Sequence, residues 1–194
     1  KHNDAYYDTD WRNLQEIFNQ LKFNTLYPEV QGSSFFSLRQ LRPETLAISG
    51  STPEQKKKKR ALITGVRDTL RDEYYNTTAL VPSMPWLDNV APKAVVGINT
   101  KKLDSSITIS WKDLENNDSA YYVIYRGEVD GPMKNLNLED PNNIIATVRR
   151  TANGTEFTYE DTSVERGKKY VYAITAVDRL HNESEAKFAN VPFK

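Results

Sequence analysis

Ile107-Thr108-Ile109-Ser110-Trp111 sets three large apolar side chains against two hydroxyls in strict alternation. Successive side chains of a strand point to opposite faces, so this period of two predicts a strand with Ile107, Ile109 and Trp111 on one side. The pattern recurs further along the chain. Tyr121, Val123 and Tyr125 share a face, as do Tyr170, Tyr172, Ile174 and Ala176. Between these runs lie turn formers: Asn116-Asn117-Asp118, Asp130-Gly131-Pro132, Asp140-Pro141-Asn142, Asn153-Gly154 and Arg166-Gly167. Strands are predicted near 94–99, 106–112, 120–126, 144–150, 156–160, 169–178 and 185–190. Strands returning about every ten residues across roughly 100 residues predict a β-sandwich.

Before residue 90 the period changes. Leu14, Ile17, Phe18 and Leu21 recur at helical spacing. Asp8 or Asp10 can cap that helix, and Asn24 and Pro28 close it. Ser33-Ser34-Phe35-Phe36-Ser37 is short and strand-like. In Thr52-Pro53-Glu54-Gln55, Pro53 suits a first helical position and Thr52 with Gln55 fits a capping box. The apolar stripe of this second helix is Leu62, Ile63, Val66 and Leu70, reaching Tyr74. Lys56 to Arg60 wraps the whole helix circumference, at about 100° per residue, so it cannot form one face and is expected to project past the packed core into solvent, with a localisation signal or anion patch as the less favoured reading. Ala79 to Leu87 carries Pro82 and Pro85, which keep it extended and stiff, and its apolar side chains predict a packed strap. Asn89 to Pro92 is the predicted boundary, giving domains 1–89 and 90–194.

The 194 residues include 26 basic and 26 acidic side chains, and the net charge of zero argues against a general nucleic-acid or anionic-membrane binder. No apolar run approaches the ~20 residues needed to span a bilayer. Zero Cys removes disulfides, thiolate nucleophiles, zinc fingers and iron–sulfur clusters. His2 and His181 are the only imidazoles, too few for a His-rich metal site. The chain starts at Lys1 without an apolar signal stretch, so a processed or truncated polypeptide is expected.

The second half resembles a fibronectin type III domain. Ile107 to Trp111 resembles its second strand, with Trp111 as the core tryptophan, and Tyr121-x-Val123-x-Tyr125 resembles the third. Val164-Glu165-Arg166-Gly167-Lys168-Lys169-Tyr170 resembles the turn before the sixth strand, with Tyr170 as the tyrosine-corner residue. Arg166 stands where that family usually has Pro. The segment from Asp178 to Ser184 resembles a loop of bacterial copies attached to carbohydrate-active enzymes. The first half, through Tyr27-Pro28-Glu29-Val30-Gln31-Gly32-Ser33-Ser34-Phe35-Phe36-Ser37, Tyr75 and Ala79 to Leu87, is similar to the end of a bacterial glycosyl-hydrolase-like barrel family. In that family a (β/α) barrel joins a fibronectin-type sandwich directly.

In that register Ala5-Tyr6-Tyr7 would be the exit of strand seven, 10–22 helix seven, 32–37 strand eight and 53–74 helix eight. A complete barrel takes roughly 250 residues, so the chain would carry the last quarter. The implied fold class is an α/β remnant of a TIM-type barrel, mostly helical here, followed by an all-β fibronectin type III (immunoglobulin-like) sandwich. The implied function is that of the C-terminal part of a glycoside hydrolase whose acid/base carboxylates lie on earlier strands. No catalytic residue is therefore carried over, and the piece alone is expected to be inactive. The rival reading is a non-enzymatic interaction or carbohydrate-binding module.

Substrate-side positions in that register are Tyr6 to Trp11 and Ser37 to Glu44. Tyr6, Tyr7 and Trp11 can stack on the C–H face of a pyranose, and Arg39 can bond a sugar hydroxyl or carboxylate. Asp8 and Asp10 read as helix caps and Glu29 as structural. Met84 and Trp86 are expected to wedge between barrel and sandwich. The loops Asp113 to Asp118 and Glu139 to Asn143 hold oxygen ligands of the kind Ca²⁺ takes, but without EF-hand spacing, so ordinary turns are expected. Asn76, Asn117, Asn153 and Asn182 each open an Asn-x-Ser/Thr tripeptide, which means little without a secretory context. Neither cofactor nor metal is implied. The implied partner is a polysaccharide or cell-wall glycan, in the bacterial envelope or elsewhere outside the cytoplasm. The remnant's exposed apolar faces make self-association a further expectation.

Overall fold

The computed structural model describes residues 15–35, 41–42, 52–129, 136–151 and 154–190. The chain divides into two compact units, Lys1–Asn76 and Thr77–Lys194.

In the first unit, α1 (Gln15–Asn24) and α2 (Pro53–Thr69) present their apolar stripes to one another. Phe18, Val66 and Leu70 are buried together, with Ile17, Leu21, Leu41 and Tyr74 packed around them. The Phe18 and Tyr74 rings stack at 5.4 Å. The capping box forms: the Thr52 hydroxyl accepts from the Gln55 N–H at 3.2 Å, and the Gln55 side chain accepts from the Thr52 N–H at 2.9 Å. Leu70–Tyr74 continues α2 as a π-helical turn, closed by the Tyr75 N–H on the Leu70 carbonyl at 2.8 Å. Lys57 to Arg60 are exposed, and Leu62 stays 45% exposed although the periodicity puts it on the stripe. Among the described residues Gly32 to Phe35 pair with no strand, and Phe36 and Ser37 lie outside the described residues. Among the described residues no helix is long and apolar enough to cross a membrane.

Among the described residues of the second unit seven strands form near the predicted positions, the first shifted to later residues than the predicted 94–99. They are β1 (Val96–Lys102), β2 (Ile107–Lys112), β3 (Tyr121–Glu128), β4 (Ile144–Arg149), β5 (Glu156–Asp161), β6 (Tyr170–Val177) and β7 (Lys187–Asn190). They pair antiparallel into a three-stranded sheet, β1-β2-β5, and a four-stranded sheet, β4-β3-β6-β7. The two sheets make a β-sandwich. Its core takes Ile107, Ile109 and Trp111 from β2, Tyr122 and Ile124 from β3, Phe157 from β5, and Tyr170, Tyr172, Ile174 and Ala176 from β6. The Tyr170 hydroxyl accepts from the Glu165 N–H at 2.9 Å, so the corner before β6 forms. Gly167 turns that corner with φ +89°, a conformation costly for any residue with a Cβ.

The face of β3 that carries Tyr121, Val123 and Tyr125 is the outer one. It is nevertheless covered. Val123 and Tyr125 are buried with Val171, Ala173 and Val177 beneath Leu136, with Leu80 and Leu138 packed against them. All eight residues of β6 are therefore buried, on both faces of the sheet. Leu80 belongs to the strap, so the strap lies on the outer face of the four-stranded sheet.

Candidate functional site

Tyr6, Tyr7, Trp11 and Arg39 lie outside the described residues, as do Asp4, Asp8, Asp10 and Glu44. Glu29 is exposed in the turn after α1. The polar chemistry that the structure does show gathers at the two ends of the sandwich.

At the end where β3 begins, Asp113 is fully buried and accepts four bonds. They come from the Leu114 N–H at 2.7 Å, the Asn117 amide at 2.6 Å, the Tyr122 hydroxyl at 2.7 Å and the Ser119 hydroxyl. Burial pushes its carboxyl up, but these donors outweigh that and hold it below the usual carboxylate range. Arg150 closes the loop over it. Its guanidinium lies 3.4 Å from Asp113 and donates to the carbonyls of Leu114 at 3.0 Å, Glu115 at 3.1 Å and Asn117. At the other end Asp161 is held in the same way by Arg126, Tyr172 and Ser163. Both carboxylates have their acceptor positions filled, which suits anchoring and leaves no site for proton transfer to a substrate.

The loop after β6 fastens the strap. Asp178 Oδ1 accepts from the N–H groups of Leu180 (2.8 Å) and Asn182 (2.9 Å), and Oδ2 accepts from the Asn182 amide at 2.9 Å. This pre-sets Asn182, whose amide also donates to the Asp88 carbonyl at 3.1 Å. His181 takes a left-handed backbone, φ +67°, at the loop's tip. The Met84 N–H donates to the Leu180 carbonyl at 3.1 Å. A second clamp is Asn117, which accepts from the Lys93 N–H and donates to the Lys93 carbonyl, both at 2.8 Å. Asn117 and Asn182, the two described glycosylation-type asparagines at this end, are thus both occupied by backbone. Trp86 itself is 74% exposed.

Two clefts open at this end. One, of about 440 Å³, runs between strap residues Leu80 to Ser83 and the sheet, over Tyr121, His181 and Glu183. The Tyr121 hydroxyl lies 3.2 Å from His181 Nδ1, and Glu183 Oε1 accepts from Tyr125 and Thr175, both at 2.6 Å. Burial, then Glu183 and Asp178, push the Tyr121 phenol up. The other cleft, of about 950 Å³, is lined by Glu115, Asp118, Arg149, Arg150 and Arg179. No sequence pattern singled out Arg149 or Arg179; the only signal was the Arg149-Arg150 pair at a strand end. Among the described residues no three His, Asp or Glu side chains converge as a metal site. Asp140 is engaged in its own turn, accepting from the Asn142 N–H at 2.9 Å and its amide at 2.8 Å.

No family model matches the chain. Glycosyl hydrolase YngK of Bacillus subtilis (strain 168) is 32% identical over 184 residues, 93% of this chain and 30% of that protein. An amylopullulanase of Thermoanaerobacterium thermosulfurigenes is 34% identical over 97 residues, 50% of this chain and 4% of that protein. A solved Fn3-like protein from Clostridium thermocellum superposes with a TM-score of 0.36 at 21% identity, over 54% of this chain and 98% of that one. The chain spans less than a third of the length of the first relative and a small fraction of the second. Along nearly its whole length it is related in sequence to a glycosyl hydrolase.

Proposed function

We propose that the chain is the closing part of a glycoside hydrolase, with residues 1–89 the last βα units of its barrel and 90–194 a fibronectin type III brace. The observation that carries this reading is the 32% identity that extends over 93% of the chain, and so over both units. The parent protein cleaves glycosidic bonds through a pair of carboxylates, one acid and one base or nucleophile, supplied by earlier barrel strands. Tyr6, Tyr7, Trp11 and Arg39 belong to the substrate side of that barrel. The sandwich supplies rigidity. It pins the strap at Met84, Asp88 and Lys93 through the loops after β2 and β6. The partner is a polysaccharide or cell-wall glycan outside the cytoplasm, and self-association of the isolated piece follows from its unclosed barrel portion.

The test compares the 194-residue chain with the full-length protein on aryl glycosides and cell-wall glycans. Turnover by the full-length protein and none by the 194 residues is expected. Turnover by the 194-residue chain refutes its inactivity, and a full-length protein inert on every glycan refutes the hydrolase reading.

A further inference from the structure

We propose that the 950 Å³ cleft at the strap end of the sandwich binds a polysaccharide bearing carboxylate groups, with Arg149 and Arg179 taking the carboxylates. This rests on the reading above only for the class of partner, a glycan.

The strand order places the two arginines. Arg149 ends β4 opposite Tyr121, and Tyr121 pairs with Val177, two residues before Arg179. Two strand spacings of about 4.8 Å therefore separate their backbones, with the start of β3 between them. Both side chains are exposed, and neither has a hydrogen bond or ion pair among the described residues. Arg150 is different. Its charge is met by Asp113, and its bonds to three carbonyls hold the loop after β2 in place as a preformed wall. That wall carries Glu115 and Asp118, both exposed.

The rim thus offers two free guanidiniums and two carboxylates. A guanidinium takes a carboxylate as a bidentate, charge-assisted pair, whereas Glu115 and Asp118 accept from hydroxyls. An acidic sugar chain presents both groups. A balanced rim also differs from a bare cationic patch, which holds any polyanion. The volume is within the range of small-ligand sites. Tyr121, which lines the neighbouring groove, adds an aromatic ring beside the same strand ends.

The experiment is affinity electrophoresis and calorimetry of the 194-residue chain with polygalacturonate and, separately, with a neutral β-glucan and with polyphosphate. Tight retention by polygalacturonate is expected, weakened about tenfold in Arg149→Ala and in Arg179→Ala, and further in the double variant. Retention should also fall between about 20 and about 150 mM salt, as surface charges become screened. The exposed Lys57→Ala/Lys58→Ala variant controls for the lysine run on α2 and should bind as the wild type does. Equal retention by neutral glucan, equal or tighter retention by polyphosphate, no retention at all, or an undiminished double variant overturns the proposal. Binding by the sandwich alongside a full-length protein without glycosidase activity would sink the hydrolase reading and leave this site standing. Glycosidase activity without acidic-glycan binding does the reverse.

Discussion

Replacing Asp161 should unseat the far end of the sandwich. Its side chain is 1% exposed and holds four donors: Arg126 Nη1 and the Tyr172 hydroxyl at 2.8 Å on Oδ2, and the Ser163 N–H (3.0 Å) and hydroxyl (2.8 Å) on Oδ1. Asp161→Ala strands the Tyr172 hydroxyl in a fully buried position, at a cost of about 1–3 kcal/mol. It also breaks the pair with Arg126, and breaking a buried pair costs about 3–5 kcal/mol. The lower end applies, because the Arg126 side chain is 21% exposed, keeps Ser163 at 2.7 Å and lies 5.0 Å over the Tyr170 ring. The two losses share one carboxylate and do not add, so about 4 kcal/mol is expected. For a domain of this size that lowers the melting temperature by about 15 °C. Asp161→Asn keeps the shape and loses the charge, at about 2 kcal/mol. Urea unfolding reads both through the fluorescence of the buried Trp111, with Trp11 and Trp86 replaced by Phe. Burial pushes the Asp161 carboxyl up, but its donors prevail and hold it below the usual range. A depressed folded value contributes stability above the unfolded pKa of about 3.9, lost as pH falls through the folded value. The gap between wild type and Asp161→Asn should therefore narrow below about pH 4. A loss under about 1 kcal/mol in Asp161→Ala, or a gap that widens in acid, would refute the anchoring role.

Asn182→Ala removes the bond to the Asp88 carbonyl and leaves Asp178 Oδ2 short of a donor, so about 2 kcal/mol of local stability should go. Hydrogen exchange at Met84 and proteolysis within residues 80–88 should both speed up, and unchanged exchange would show that the loop does not hold the strap. Thr52→Ala deletes the cap of α2 and should cost about 1 kcal/mol, read as faster exchange at the Gln55 and Lys56 amides. Pro85 stands second in the turn that the Leu87 N–H closes on the Met84 carbonyl at 2.9 Å. Pro85→Ala should cost about 0.4–1 kcal/mol by freeing the unfolded chain, with the Leu87 amide exchanging a few-fold faster and the strands unaffected.

The sandwich was legible because alternation is a local signal, readable wherever one side of a strand is apolar. In β6 the signal went further than the period of two. Val171, Ala173 and Val177 are apolar on the face opposite Tyr170, Tyr172 and Ile174, and that near-continuous run marks a strand buried on both sides. The cover for its outer face, Leu80, Leu136 and Leu138, comes from segments outside the strands. The clamps were not legible for a related reason. Asn117 meets Lys93 across 24 positions and Asn182 meets Asp88 across 94, so nothing in the local spacing marks them as more than turn residues. Gly32 to Phe35 show the converse. A strand-like composition makes a strand only where a neighbour supplies the ladder, and among the described residues none does so here.

The strap illustrates how a segment without regular structure is kept in place. Ordering a residue's backbone costs about 1–2 kcal/mol, while a hydrogen bond returns about 1 kcal/mol net. Four backbone-directed bonds at Met84, Asp88 and Lys93 cannot hold that length of chain unaided. Pro82, Pro85 and Pro92 lower the cost by restricting the unfolded chain beforehand, and Leu80 adds apolar burial against Val123 and Tyr125. The clamping side chains are themselves pre-set: Asn182 by Asp178, and Asn117 by the ionised Asp113 beneath Arg150. Rigidity at the strap thus depends on the carboxylate of Asp113, so acid strong enough to protonate it, below the usual carboxylate range, should weaken its hold on Asn117 and loosen the strap at Lys93, read as faster hydrogen exchange at the Lys93 amide.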